Sequence, residues 1–186
     1  IAIAEQSSLI FLIDEWVVKN TCKAILKWQK EGLPPFVVAL NLSRKELGYR
    51  KNIENIVSII KDSGIDPSRF EIEVTESALF ENELGSITNL QLLQNLGCSI
   101  SIDDFGTGYS SLANLRNFTF DKIKIDKSFI DNIVTDKNDL AIVKVTINLA
   151  KEMGMSVIAE GVEDAKQYKL LKDFGCDEIQ GYYFYK

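Results

Sequence analysis

Alternation at two levels constrains this chain more than any other feature. Short runs rich in Val, Ile and Phe occur at Phe36–Ser43, Phe70–Glu76, Ser99–Phe105, Lys122–Asp126, Ser156–Glu163 and Glu178–Phe184. Most are separated by segments of helical period, at about 8–30, 45–63, 83–96, 138–153 and 164–174. Strands that alternate with helices pair in parallel, in a sheet that is open or closed into a barrel. The second alternation lies inside the runs. In Phe70-Glu71-Ile72-Glu73-Val74-Thr75-Glu76 every other residue is polar; Lys122-Ile123-Lys124-Ile125-Asp126 repeats the pattern, and Ala39, Asn41 and Ser43 face away from Val38, Leu40 and Leu42. A parallel strand covered on both faces reads as a near-continuous apolar run. A polar face on strand after strand fits instead a barrel with a polar mouth, whose active site lies at the C-terminal strand ends. Asn41, Glu73, Asp103, Lys124 and Glu160 fall there. The competing reading, solvated faces of antiparallel edge strands, would have to hold for five runs together.

Six strand runs in 186 residues fall short of the eight of a complete barrel, which takes about 250 residues. The expected fold is therefore α/β, a modified TIM (β/α)8 barrel lacking its N-terminal strands in this chain, in one domain by length. Gly32, Gly64, Gly97, Gly154 and Gly175 follow the helical segments, where a left-handed cap is wanted. Leu140, Ile142, Val143, Ile147, Leu149 and Ala150 form an apolar stripe on one helix.

Composition narrows the chemistry. There is no histidine, which excludes triads with a histidine base and histidine-bound zinc; any metal must be held by oxygen, pointing to magnesium, manganese or calcium. Cys22, Cys98 and Cys176 are odd in number and far apart, which fits three buried thiols in a reducing cytosol. With no apolar window of membrane-spanning length and no opening like a signal peptide, a cytoplasmic location is expected, or the cytoplasmic part of a membrane-anchored protein. A net charge of −6 speaks against long nucleic acid as a partner.

The stretch Asp103-Asp104-Phe105-Gly106-Thr107-Gly108 sets two mutually repelling acids at a strand end, before a glycine-rich turn. If the strand ends are neighbours, Asn41, Glu73 and Asp103 converge as oxygen ligands. Asp104 points to the other side of its strand unless the backbone turns, which Gly106 and Gly108 allow; each acid can then serve a different divalent ion, with a water between them. Taken alone, an Asp-Asp pair also occurs in ordinary loops. Lys124 inside a barrel must be paired or functional. It could orient an attacking water or neutralise charge on a phosphoryl oxygen, or simply form a salt bridge to Glu73 or Asp126. Glu160, at another strand end, could accept a proton from water. Together these residues describe metal-assisted phosphodiester hydrolysis.

Asn41-Leu42-Ser43, Glu73-Val74-Thr75-Glu76, the stretch from Asp103 to Leu112, Lys124-Ile125-Asp126, Ala159-Glu160-Gly161-Val162-Glu163 and Gln180-Gly181-Tyr182-Tyr183 stand in the order and spacing of the EAL domain. The chain thus resembles the bacterial cyclic di-GMP phosphodiesterases over essentially its whole length. Ile3-Ala4-Glu5, then Leu9-Ile10 and Trp16, resembles the segment after the namesake motif. The resemblance implies hydrolysis of cyclic di-GMP to linear pGpG with Mg2+ or Mn2+ in a two-metal site. It matches Asn41, Glu73, Asp103 and Asp104 to metal ligands, and Lys124 and Glu160 to the residues that position and activate water. Glu76 matches the acid that steadies the loop after Asp104, and Asp126, Glu163 and Gln180 match positions around the metals and substrate. It also implies a homodimer and flanking sensory or diguanylate cyclase domains. Residues 1–186 are expected to be one such domain, truncated before the Glu-Ala-Leu motif and slightly at the C-terminus, and inactive or nearly so alone. Residues 43–47 read Ser-Arg-Lys-Glu-Leu where the family more often has Ser-Ala-Arg-Gln-Phe, which puts guanine contacts there in question. The alternative is a receptor that binds cyclic di-GMP without cleaving it, though such members usually lose ligands that are retained here.

Overall fold

A computed structural model describes residues 4, 7, 9–80, 83–107, 115 and 118–184, excepting the side chains of 80, 83 and 84. The chain divides into two compact units, Ile1–Ile100 and Ser101–Lys186. In the first, helix α1 (Leu9–Lys30) buries Ile10, Asp14, Val18, Cys22 and Ile25, the three- and four-residue spacing of one helical face. Strand β1 (Val38–Leu42) pairs in parallel with β2 (Phe70–Thr75), from Val38 opposite Phe70 to Leu42 opposite Val74. Helices α2 (Arg44–Gly48) and α3 (Arg50–Ser63) connect them. The sequence predicts one helix over 45–63; the structure breaks it at Tyr49, whose backbone is extended while its ring packs 4.8 Å from that of Phe11. Helices α4 (Glu76–Phe80) and α5 (Glu83–Leu96) follow β2. Helix α3 packs on α1 and α5 and buries Ile53, Ile56 and Ile60 completely.

Strand β3 (Ser99–Phe105) leads into the second unit, where β4 (Lys122–Ile125), β5 (Ser156–Ala159) and β6 (Glu178–Ile179) follow in a parallel ladder. Helices α6 (Lys127–Asp131) and α7 (Lys137–Glu152) join β4 to β5, and α8 (Ala165–Phe174) joins β5 to β6. The buried stripe of α7 is Val143, Thr146, Ile147 and Ala150; Ile142, expected within it, is exposed because it lies one position off that face. Asp164 and Gln167 form a reciprocal cap at the start of α8, and Gly175 ends it in the left-handed conformation.

The α/β class and the parallel pairing are as expected, with six strands among the described residues. Several strands stop sooner than their apolar runs. The run to Glu163 ends at Ala159, because the backbone turns at Gly161, where φ is +74°. No described helix is long and apolar enough to cross a membrane. All three cysteines are free; Cys22 and Cys98 are buried as expected, but Cys176 is only half-buried.

Candidate active site

In the first unit the ladder register sets Asn41 directly opposite Glu73. The Asn41 amide Nδ2 donates to Glu73 Oε2 at 3.0 Å. Glu71 and Glu73 are each 8% exposed, so the polar face of β2 is enclosed rather than solvated. Ser43, just past β1, caps α2: its side chain accepts from the Glu46 N–H, and its own N–H donates to Glu46 Oε2 at 2.5 Å. Asn41 opens onto a cavity of about 480 Å³ shared with Asp14, Ser43, Glu46 and Thr75. Sequence reading did not single out Asp14, since an acid on the apolar face of α1 carries no motif. Burial, with the hydrogen bond and charge of Glu46, pushes its carboxyl up to about 8, and the Asn52 amide, 3.2 Å away, offsets part of this. Asp14 therefore holds a proton near neutrality. Glu76 opens α4 and is buried; most of the loop matched to it, residues 108–114, lies outside the described residues.

In the second unit the two adjacent acids occupy a bulge. Ile102 pairs with Ile123 and Phe105 with Ile125, so Asp103 and Asp104 together oppose the single residue Lys124. The extra residue is absorbed at Asp104, whose φ of +54° is the one positive value outside glycine among the described residues; sequence reading placed the turn at Gly106 and Gly108. The fold of the backbone is held by the Asp104 N–H donating to Asp103 Oδ1 at 3.0 Å, and by the Thr107 hydroxyl donating to the Asp104 carbonyl at 2.9 Å. Lys124, 6% exposed, places its ammonium 3.1 Å from Asp103 Oδ1 and 2.9 Å from Glu160 Oε1. Burial first, then the charges of Asp103 and Asp126, raise the Asp104 carboxyl above its ordinary range, and Lys124 opposes them.

Asp126, Glu163 and Gln180 lie at neighbouring strand exits. Asp126 caps α6, its Oδ1 accepting from the Ser128 N–H at 3.0 Å. The Glu163 carboxylate accepts from Lys127 Nζ at 2.8 Å. Gln180 is anchored by its backbone: its carbonyl accepts from the Val162 N–H at 3.0 Å and its N–H donates to the Ala159 carbonyl at 2.9 Å. Lys127 was not among the expected residues. The signal for it was its place three residues after Lys124, matching the step from Glu160 to Glu163.

Among the described residues no three His, Cys, Asp or Glu side chains form a group able to hold a metal ion. Within each unit the donor chemistry nevertheless suits a hard divalent cation, since Asn41 and Glu73 in the first, and Asp103 and Asp104 in the second, offer only oxygen as ligand atoms. The crowding of negative charge at Asp104 is what such an ion would relieve.

The family model of the EAL domain matches residues 1–186. The chain is 37% identical over 184 residues, 99% of its length, to the cyclic di-GMP phosphodiesterase NbdA of Pseudomonas aeruginosa, and covers 24% of that protein. It is 34% identical over 180 residues, 97% of its length, to the bifunctional diguanylate cyclase/cyclic di-GMP phosphodiesterase MucR of the same organism, covering 26%. The chain thus spans about a quarter of the length of the curated relatives it matches. Among solved structures, the PaMucR phosphodiesterase in complex with c-di-GMP superposes with a TM-score of 0.92 at 34% identity, covering all of this chain and 75% of that one. The EAL domain of Mycobacterium smegmatis DcpA superposes with a TM-score of 0.85 at 34% identity, over 92% of this chain and 77% of that one.

Proposed function

This chain belongs to the EAL domain family, and from that premise we propose that its full-length protein opens cyclic di-GMP to linear pGpG. The observation that carries the reading is the buried Lys124 ammonium, held between Asp103 and Glu160 at 3.1 and 2.9 Å. A lysine so held is a fixed positive charge beside a carboxylate able to take a proton, the pairing that water attack on a phosphodiester requires. Relatives named as cyclic di-GMP phosphodiesterases supply the substrate class.

In the proposed reaction a water oxygen bonds to phosphorus and the bond from phosphorus to the ribose 3′ oxygen breaks, that oxygen taking a proton from solvent water to leave as a hydroxyl. Glu160 accepts the proton that the water gives up. Lys124 keeps the Glu160 and Asp103 carboxylates in place and offsets negative charge gathering on the phosphoryl oxygens. Asn41, Glu73, Asp103 and Asp104 are the residues that would hold Mg2+ or Mn2+, which supplies Lewis-acid polarisation of the phosphate and acidifies water when bound. Glu76 is assigned to steadying the loop after Asp104, and Asp126 and Gln180 to the surroundings of the substrate. A homodimer and flanking sensory or cyclase domains belong to the same proposal. The bifunctional name of MucR, and DosP of Escherichia coli, named an oxygen sensor and 34% identical, support the latter.

The test is incubation of the full-length protein with cyclic di-GMP and either Mg2+ or Mn2+, followed by chromatography. Appearance of pGpG is expected; no product with either metal defeats the proposal. Tight binding without product would establish the receptor reading instead.

A further inference from the structure

We infer that Lys127 is a positioning residue for Glu160: paired with Glu163, it forms a second lysine–glutamate clasp that holds the turn from which Glu160 projects. The inference rests on the role proposed above for Glu160.

Two strand exits carry the same spacing of opposite charges. Lys124 and Lys127 flank the end of β4, Glu160 and Glu163 follow β5, and the strands pair in parallel with Ile125 opposite Ala159. Lys124 meets Glu160 at 2.9 Å and Lys127 meets Glu163 at 2.8 Å. Between the two pairs the Glu160 N–H donates to the Ile125 carbonyl at 3.2 Å. The inner pair is enclosed, with Lys124 8% and Glu160 21% exposed at their side chains; the outer pair is half exposed, at 47% and 50%.

The stem of Lys127 has its own place in the turn. Gly161, directly after Glu160, adopts φ +74°, and a Cβ added there would collide with Cβ, Cγ and Cδ of Lys127. The lysine stem therefore lies where only glycine leaves room, over the residue that sets the direction of Glu160. Its ammonium is steadied at the other end by Asp131, 2.6 Å away and one turn further along α6. The far side of the turn is closed by the backbone, since a Cβ at Gly181 would strike the Val162 backbone. Half-exposed ion pairs contribute little to stability, so the clasp has small thermodynamic weight. Its effect falls on placement, and misplacing a reacting group by about 1 Å can cost on the order of a hundredfold in rate. Glu163, matched by resemblance to the surroundings of the substrate, acts in this account through Lys127.

The experiment measures kcat and KM for cyclic di-GMP hydrolysis by the full-length protein and its Lys127→Met, Lys127→Arg, Glu163→Gln, double Lys127→Met/Glu163→Gln and Glu160→Gln variants. Methionine keeps most of the stem and loses the charge. Lys127→Met and Glu163→Gln should each lower kcat about tenfold, with KM within twofold of wild type and thermal unfolding nearly unmoved. The double variant should lose no more than the worse single one, as two members of one pair do, and Lys127→Arg should recover most of the rate. A kcat within twofold of wild type in Lys127→Met overturns the inference. So does a Glu163→Gln variant whose KM rises tenfold at unchanged kcat, or losses that multiply in the double. If Lys127→Met fails to fold, Glu163→Gln decides by the same criteria. Absence of turnover in the wild type would sink the reading of the site itself. Turnover that Glu160→Gln abolishes and Lys127→Met leaves intact would sink only the clasp.

Discussion

The acids of the two units have different neighbours. In the first, Glu73 takes a hydrogen bond from the neutral Asn41 amide, and Asp14 shares its enclosure with a second acid, Glu46. In the second, Asp103, Glu160, Glu163 and Glu178 each stand within about 3 Å of a lysine ammonium. Asp14 and Glu73 thus have an acid and an amide among their neighbours, and the four acids of the second unit have ammonium groups among theirs. A carboxylate beside a neutral amide and one beside a fixed ammonium differ in how readily each takes a proton.

The largest expected effect tests the cationic half. Lys124→Ala or Glu160→Gln in the full-length protein should cut cyclic di-GMP turnover by about 10³-fold or more, with the far-ultraviolet circular dichroism spectrum unchanged. Near-normal rates in either would mean the lysine between acids is only structural. A second experiment probes the proton-retaining half. The Asp14 carboxyl rises from 3.8 to about 8 on folding, so between those values the folded chain binds more protons than the unfolded one. Stability should then fall as pH climbs from 4 towards 8 and level off above it. Asp14→Asn should remove that slope and raise the urea midpoint at pH 7; an unchanged pH profile would show that Asp14 is not the group responsible. The smallest effect concerns the bulge. Asp104→Gly relieves a left-handed backbone at a non-glycine residue, so stability should rise by up to about 1 kcal/mol, while turnover at limiting Mg2+ falls. A variant with full turnover would remove Asp104 from the proposed ligands.

The run from Ser99 to Phe105 was legible to the residue, because an apolar strand bounded by Gly97 and a glycine-rich turn has only one consistent reading. The polar alternation of β2 was also legible, and the enclosure of Glu71 and Glu73 agrees with a polar interior face rather than a solvated one. The break at Tyr49 escaped because helical period continues across it, and an aromatic contact with Phe11 decides it. The bulge escaped for a related reason. Register is a property of two strands, and neither Asp103-Asp104 nor Lys124 alone shows that two residues will be set against one. Cys176, expected to be enclosed like Cys22 and Cys98, sits near the short strand β6 and keeps part of its surface in water.

That two-against-one arrangement has a consequence for how this strand can be shortened. Because Phe105 already faces Ile125 and Ile102 already faces Ile123, deleting either aspartate would straighten the strand without shifting any pairing beyond it. A single codon loss could thus retire one acid while every flanking side chain kept its neighbour.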